Sequence, residues 1–215
     1  MQILLHSLVL LLLLPTYTIS LILQNPNAFY VHVPFCKARC SYCDFSIVST
    51  GTGVNNKPSS SSWVNDLHEQ YTTSIVKEIE LTRTAITSSS SKAITQPAPL
   101  SSVYFGGGTP SLLSCSNILK ILTTIEKHYK FDDNAEITIE CDPATFDRKY
   151  LENLIAGKIN RVSIGVQSFD DKVLSEIGRT HDSSDILTAI NLLNEFTLNG
   201  RLKNGWSLDL ICGCK

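Results

Sequence analysis

Short segments of β-type sequence alternate along most of this chain with segments of helical periodicity, and this alternation limits the fold more than any other feature. In the helical segments, apolar residues recur three and four positions apart, which is typical of amphipathic helices. Regular alternation of strands and helices favours an α/β domain built on a parallel sheet. With 215 residues, 43% of them hydrophobic, the chain is long enough for one such domain with its own core. The predicted strands are residues 29–33, 102–105, 136–140, 161–169 and 206–211, and the predicted helices are residues 63–84, 117–129, 146–156 and 185–198.

Three cysteines, Cys36, Cys40 and Cys43, follow the first predicted strand within eight residues. The end of that strand is where a (β/α) barrel builds its active site. Thiolates at C-x3-C-x2-C spacing can each hold one iron of a 4Fe-4S cube, which leaves the fourth iron open to a small molecule. The same spacing is compatible with a zinc site that His32 or a distant cysteine completes, and with thiols that are close by chance. Spacing alone leaves these three interpretations open.

The net charge and the cysteine count argue against some partners and environments. The formal net charge is −2 and no basic run is present, which argues against nucleic acid as a partner. The seven cysteines are odd in number and three of them crowd into one loop, so they do not suggest a disulfide framework. We therefore expect a reducing compartment in which the thiols serve metal or redox chemistry.

A glycine-rich segment, Gly106-Gly-Gly-Thr-Pro110, follows the second predicted strand. The dinucleotide-binding fingerprint would need a third glycine where Ser111 stands, and no P-loop lysine follows, so phosphate binding is not favoured. Consecutive glycines let the backbone approach a ligand closely because no Cβ intervenes. The simpler alternative is a tight turn before a helix.

Polar residues end the later strands. Glu140 ends the third predicted strand, where its carboxylate could accept hydrogen bonds from a ribose or an amino group, and Gln167 lies near the end of the fourth. Cys141 is interpreted as a small buried residue rather than a ligand. His181 is interpreted as a structural or helix-capping residue rather than a catalytic one.

Four motifs in this order resemble those of radical S-adenosylmethionine (SAM) enzymes. More narrowly, they resemble the branch that contains the oxygen-independent coproporphyrinogen III oxidases and the HemW-type heme chaperones. The resemblance covers residues 30–213. The motifs are Tyr30-x-His-x-Pro-Phe with Cys36-x3-Cys-x-Tyr-Cys-Asp-Phe45, then Gly106-Gly-Gly-Thr-Pro110, Arg161-Val-Ser-Ile-Gly-Val-Gln-Ser-Phe169 and Gly178-Arg-Thr-His181.

The resemblance implies a partial (β/α)6 TIM-like barrel that stops after its fifth strand. It also implies a 4Fe-4S cluster on Cys36, Cys40 and Cys43, with SAM chelating the fourth iron, and one-electron cleavage of SAM to methionine and a 5′-deoxyadenosyl radical. No residue is assigned a catalytic role. The implied SAM contacts include the glycine segment for the amino group, Arg179 for the carboxylate and Asp209 for the ribose. In full they are Tyr30, Tyr42, Gly107, Gly108, Thr109, Glu140, Gln167, Arg179 and Asp209.

Phe45 bears on the choice between the oxidases and the HemW-type chaperones of this branch. The oxidases usually carry Cys-Gly-Cys at this point, whereas this chain has Cys43-Asp-Phe45. The departure favours the HemW-like side, for which the resemblance implies heme binding and transfer to recipient heme proteins, with an electron donor as a further partner. The alternatives are an oxidase that decarboxylates a porphyrinogen, and an inactive truncated fragment or a zinc-loop protein.

The termini and two insertions complete the domain prediction. Residues 1–24 form a hydrophobic targeting or anchor segment, and the first 23 carry no charged side chain. This segment lacks the positive n-region of a signal peptide, so an organelle sorting signal (plastid or mitochondrion) and a wrongly chosen start codon both stay open, with a cytoplasmic location as the alternative. Membrane contact is expected only through this segment.

Residues 29–215 form the core domain without the family's C-terminal domain, and residues 49–62 and 87–99 are low-complexity loops expected to lie away from the site.

Overall fold

The computed structural model describes residues 26–51, 62–88 and 98–213. Strands and helices alternate through these residues as the sequence predicts. In chain order they are β1 (Ala28–Val33), β2 (Phe35–Cys36), β3 (Val48–Ser49), α1 (Ser62–Ser88), β4 (Leu100–Gly107), α2 (Cys115–Tyr129), β5 (Phe131–Cys141), α3 (Arg148–Ala156), β6 (Arg161–Gln167), α4 (Asp171–Glu176), α5 (Ser183–Leu198) and β7 (Trp206–Leu210). Single-turn 3-10 helices follow β4 and β5 at Pro110–Leu112 and Pro143–Thr145.

The central sheet has five parallel strands in the order β1-β4-β5-β6-β7. Its register places Tyr30 beside Tyr104, Tyr104 beside Thr138, and Thr138 beside Arg161. The predicted α/β class with a parallel sheet is confirmed. Because all five strands run the same way, their C-terminal ends lie along one edge, and the loops that follow them can build a common site.

The sheet buries one face and keeps the other polar. Phe105, Ile139 and Ile164 are completely buried in the same core cluster as the apolar stripe of α2. Since side chains alternate along a strand, Tyr104 and Ser163 point to the opposite face. Full burial of one such apolar side chain contributes about 1.5–3 kcal/mol. The buried apolar residues of α2 are Ile118, Ile121, Leu122, Ile125 and Tyr129.

Two residues of the first predicted insertion belong to the cysteine loop, which corrects the prediction that this insertion lies away from the site. Ser49 ends β3, which pairs in parallel with β2. The backbone N–H of Thr50 donates a hydrogen bond to the carbonyl oxygen of Cys36 at 2.8 Å, and the Thr50 hydroxyl donates to the same oxygen at 3.1 Å. The pattern of small polar residues concealed this pairing because it contains no apolar alternation.

The other insertion boundaries also shift. Helix α1 begins at Ser62 and extends to Ser88, so it takes residues from both predicted insertions. Residues 52–61 and 89–97 of the two insertions lie outside the described residues, as does the hydrophobic segment 1–24. In the described part of the chain, no helix combines the length and the apolar character needed to cross a membrane.

Candidate functional site

A cavity of about 360 Å³ lies at the edge of the sheet where the parallel strands end. Its wall comes from the cysteine loop and from residues at or after the ends of β4, β5, β6 and β7. The structure brings together all of the predicted site residues except Tyr30. Those that line the cavity are Cys36, Cys40, Tyr42, Cys43, Gly107, Gly108, Thr109, Glu140, Gln167, Arg179 and Asp209.

The glycine segment holds the cysteine loop against the sheet. The backbone N–H groups of Gly108 and Thr109 donate to the carbonyl oxygens of Val33 and Phe35 at 2.8 and 2.7 Å. A Cβ on Gly108 would lie 2.6 Å from the carbonyl oxygen of Phe35, so no larger residue fits without moving the backbone. The alternatives of a tight turn and a ligand loop are therefore not exclusive, because a tight turn against β1 and β2 forms the cavity wall.

Two of the three predicted ligand sulfurs have hydrogen-bond donors aimed at them. The hydroxyl of Thr109 lies 3.6 Å from the Sγ of Cys36, and the Nη1 of Arg179 lies 3.7 Å from the Sγ of Cys40. Burial raises the pKa of the Cys36 thiol, the other two cysteines add to this, and the Thr109 hydroxyl and the Arg179 charge oppose it. A metal that binds here must therefore supply part of the charge that stabilises the Cys36 thiolate.

Within the described residues, no three side chains of the His, Cys, Asp and Glu types are arranged to hold one metal ion. A 4Fe-4S cube does not require such an arrangement, because each cysteine binds a different iron. The donor set at the cavity consists of thiols that are neither fully buried nor fully exposed, with hydrogen-bond donors directed at them. This donor set fits an iron–sulfur cluster.

His32 and Tyr30, both in β1, contact each other through their side chains. The Nδ1 of His32 lies 3.2 Å from the hydroxyl of Tyr30, and its Nε2 lies 3.2 Å from the carbonyl oxygen of Ser46. Both ring nitrogens of His32, the candidate zinc ligand, therefore have protein partners. The Tyr30 ring stacks on Tyr104 with centroids 6.2 Å apart, outside the cavity.

Glu140 is fixed at both carboxylate oxygens. The hydroxyl of Tyr104 donates to Oε1 at 2.8 Å, and the backbone N–H of Gly107 donates to Oε2 at 3.1 Å. Burial, together with the hydrogen bond to Glu140, raises the pKa of Tyr104, so this tyrosine stays a donor. The carboxylate therefore faces the cavity in one defined orientation.

Gln167 combines backbone strain with an unpaired acceptor. Its φ of 62° lies in the left-handed region, which costs a residue other than glycine about 1–3 kcal/mol. Its Oε1 is buried without a hydrogen-bond partner in the described part of the protein. Such a combination is typical of ligand sites, because a donor from a ligand would satisfy the acceptor.

Asp209 and Tyr42 lie toward the open side of the cavity. Asp209 is exposed, and the hydroxyl of Ser163 donates to its Oδ2 at 3.4 Å. Burial raises the pKa of Tyr42 to about 12, against the opposing charge of Arg179. Phe45, on which the prediction of the HemW-like side rests, lines the cavity but is 64% exposed.

Sequence reasoning missed Asp142, which ion-pairs with Arg179. Its Oδ2 accepts hydrogen bonds from Arg179 Nη2 at 2.6 Å and from His181 Nδ1 at 3.1 Å. Burial alone raises the pKa of Asp142, but the His181 hydrogen bond and the Arg179 charge outweigh it and hold the pKa below its usual value. His181 is buried, as its structural interpretation predicts. Cys141 is buried as well, which agrees with its interpretation as a packed residue.

A family model and several curated proteins match this chain over most of its length. The model of the radical SAM superfamily matches residues 30–207. The heme chaperone HemW of Synechocystis sp. is 38% identical over 188 residues, which are 87% of this chain and 40% of that protein. Anaerobilin synthase of Escherichia coli O157:H7 is 33% identical over 192 residues, or 84% of this chain and 39% of that protein. The mitochondrial radical S-adenosyl methionine domain-containing protein 1 of Danio rerio is 34% identical over 164 residues, 76% of this chain and 32% of that protein.

One solved structure supports the predicted barrel. Coproporphyrinogen III oxidase (HemN) from Escherichia coli, a radical SAM enzyme, superimposes with a TM-score of 0.71 over 92% of this chain and 40% of that chain, at 24% identity. At this identity the similarity concerns the fold, and the prediction of a partial TIM-like barrel is confirmed. The chain spans about 40% of the length of the curated HemW relative and of the HemN structure.

Proposed function

The chain belongs to the radical SAM superfamily, and from this premise we propose that it holds a 4Fe-4S cluster on Cys36, Cys40 and Cys43 with SAM beside it. The observation that carries this proposal is the common cavity: three cysteines from one loop and polar residues from four strand ends line the same space. Family membership alone implies these two cofactors, and the cavity supplies residues suited to both.

The residues of the chain would bind and orient the two groups. Thr109 and Arg179 place donors at sulfurs that carry negative charge when they ligate iron. The fixed Glu140 carboxylate and the unpaired Gln167 oxygen are acceptors for the amino and hydroxyl groups of SAM. When bound, the cluster supplies the electron for reductive cleavage of SAM, and the protein supplies orientation and exclusion of water.

Anaerobic reconstitution tests this part of the proposal. The full chain is incubated with iron and sulfide under reducing conditions, and iron, sulfide and visible absorbance are measured. We expect about four irons per chain, and a change in the electron paramagnetic resonance spectrum of the reduced cluster when SAM is added. A colourless product, or a cluster whose spectrum does not change when SAM is added, would contradict the proposal.

For the whole protein we propose heme binding and delivery to recipient heme proteins. This proposal is supported by the HemW relative at 38% identity and by Phe45, which stands where the oxidases usually carry a cysteine. It is made for the protein at the length of its relatives, because this chain spans about 40% of the HemW relative. Decarboxylation of a porphyrinogen is the alternative activity.

Two assays on that longer protein separate the activities. Heme titration followed by absorbance should saturate at one heme per chain, and the loaded protein should transfer heme to an apo-protein. Incubation with coproporphyrinogen, SAM and a reductant without oxygen should leave the porphyrinogen unchanged. Decarboxylated product without stoichiometric heme binding would favour the oxidase instead.

We also propose that the protein works in an organelle. The relative from Danio rerio carries the word mitochondrial in its name, and the uncharged segment 1–24 supports a sorting role. A fluorescent protein fused after the complete chain should colocalise with an organelle marker, and removal of residues 1–24 should make the fluorescence cytoplasmic. Unchanged localisation after removal would contradict a sorting role.

A further inference from the structure

We propose that Asp142 is a positioning residue that, together with His181, holds the Arg179 guanidinium against the sulfur of Cys40. The chemical consequence of this inference rests on the proposed function, because Cys40 is there a cluster ligand. Its structural part concerns contacts within the chain alone. The two parts can therefore be tested separately.

Asp142 is itself immobilised at the end of β5. Its side chain is 9% exposed, and its Oδ1 accepts a hydrogen bond from the backbone N–H of Ala144 at 3.0 Å. Its own backbone N–H donates to the hydroxyl of Ser111 at 3.2 Å. Because hydrogen bonds fix both the backbone and the side chain of Asp142, its carboxylate has one orientation. A buried carboxylate charge also requires a partner of opposite charge.

His181 completes the support on the other side of Asp142. The imidazole is fully buried, with Nδ1 3.1 Å from the Asp142 carboxylate and Nε2 3.3 Å from the carbonyl oxygen of Val166. The imidazole therefore connects the Asp142 side chain, at the end of β5, to the backbone of β6. The Nη2 of Arg179 is held by the same Asp142 oxygen at 2.6 Å and by the carbonyl oxygen of Gly165 at 3.1 Å.

The second guanidinium nitrogen of Arg179 is left to face the cysteine loop. Its Nη1 lies 3.7 Å from the Sγ of Cys40 and 3.4 Å from the hydroxyl of Tyr42. The planar guanidinium makes this a fixed relation, since holding Nη2 also sets the direction of Nη1. A cation that hydrogen-bonds a ligand sulfur raises the reduction potential of a cluster, because it stabilises the more negative reduced state.

Hydrogen exchange on the metal-free full chain tests the structural part. The reporter is the peptide that contains residues 39–43, because the Ser41 N–H is hydrogen-bonded to Ile177 O beside Arg179. We expect Asp142→Asn and Arg179→Gln each to speed exchange in this peptide several-fold while α2 keeps its protection. If Asp142 acts through Arg179, the double variant exchanges no faster than Arg179→Gln alone.

The controls separate positioning from general destabilisation. Asp147→Asn removes the carboxylate that caps α3 and should leave exchange in residues 39–43 unchanged. His181→Gln, which removes the imidazole contact to Asp142, serves as the second variant and should speed exchange in residues 39–43 less than Asp142→Asn does. Unchanged exchange in Asp142→Asn, or an effect that adds fully to that of Arg179→Gln, would overturn the proposal.

The reduction potential of the reconstituted cluster tests the chemical part. Arg179→Gln should shift the potential to more negative values at unchanged iron content. Asp142→Asn removes a negative charge and should raise the potential in the Arg179→Gln background. In the wild-type background that rise should be smaller or reversed, because Arg179 also loses its position. Equal shifts of the potential in both backgrounds would overturn the link between Asp142 and Cys40. Failure of the wild-type chain to assemble a cluster would instead overturn the proposed function, and hydrogen exchange would then test on its own whether Asp142 positions Arg179.

Discussion

The carboxylate of Glu140 accepts a hydrogen bond from the backbone N–H of Gly107 at 3.1 Å. This contact joins the end of β5 to the glycine segment after β4, and Tyr104 holds the other carboxylate oxygen. Both oxygens therefore have fixed directions before any ligand enters the cavity. Preorganisation of this kind improves affinity, because a ligand does not have to restrict a mobile side chain.

Glu140→Gln is expected to weaken SAM binding by about 10- to 100-fold, since a hydrogen bond to a charged acceptor contributes about 1.5–3 kcal/mol. Equilibrium dialysis of SAM against the reconstituted chain measures this. The control is Glu136→Gln on the same face of β5, where the carboxylate lies 3.8 Å from Arg161 and outside the cavity. Equal loss of affinity in both variants would show that Glu140 has no special role.

Cys40→Ala is expected to abolish cluster assembly, because two sulfurs from one loop cannot hold a cube with an open iron. Iron content and visible absorbance after anaerobic reconstitution measure the loss, and circular dichroism checks the fold. Cys115→Ala is the matched control, since Cys115 is partly buried and donates to the carbonyl oxygen of Tyr150 at 3.5 Å, outside the cavity. Full iron content in the Cys40 variant would refute the ligand assignment.

The sheet could be predicted from the sequence because its pattern is local. Each strand shows apolar or alternating residues within about ten positions, and the later strands carry a polar residue of the predicted site at or near their ends, as at Glu140 and Gln167. Parallel pairing then brings those ends together without further information. Family resemblance supplied the site residues that pattern alone does not identify, such as Arg179 and Asp209.

The features that sequence reasoning missed depend on long-range contacts or on backbone conformation. Asp142 meets Arg179 and His181 across 37 and 39 positions, and no local pattern encodes that meeting. The left-handed conformation of Gln167 leaves no compositional signal, because glutamine rarely adopts it. Helix α4 has six residues and was missed because it is too short to show periodicity. Its one available signal was Asp170, whose side chain accepts from the backbone N–H of Lys172.

Gly108→Ala is expected to destabilise the cysteine loop. The added methyl would meet the backbone oxygen of Phe35 at 2.6 Å, and overpacking of this kind typically costs about 1–3 kcal/mol. Thermal unfolding and cluster yield measure the effect. Gly200→Ala provides the comparison, because its φ of +73° strains the backbone while the space around it is open. A cluster yield that falls equally in both variants would point to general loss of stability rather than to the contact with Phe35.

Asp142 should make the stability of the fold depend on acidity. The pKa of this carboxyl is raised by burial but lowered further by the His181 hydrogen bond and the Arg179 charge, so the net value lies below the usual range. A carboxyl with a depressed pKa in the folded state stabilises the fold above its unfolded pKa, about 3.9. That contribution is lost as the pH falls through the folded pKa.

Asp142→Ala is therefore expected to lower the free energy of unfolding by about 3–5 kcal/mol at pH 7, because it leaves Arg179 buried without its counter-ion. Below about pH 4 the difference from the wild-type chain should shrink, because the wild-type carboxyl is then protonated before or during unfolding. Urea unfolding at several pH values measures both quantities. Asp147→Ala, which removes an exposed helix cap, should cost only about 0.5–2 kcal/mol at pH 7. A difference for Asp142→Ala that stays constant or grows on acidification would mean that the carboxylate charge does not stabilise this network.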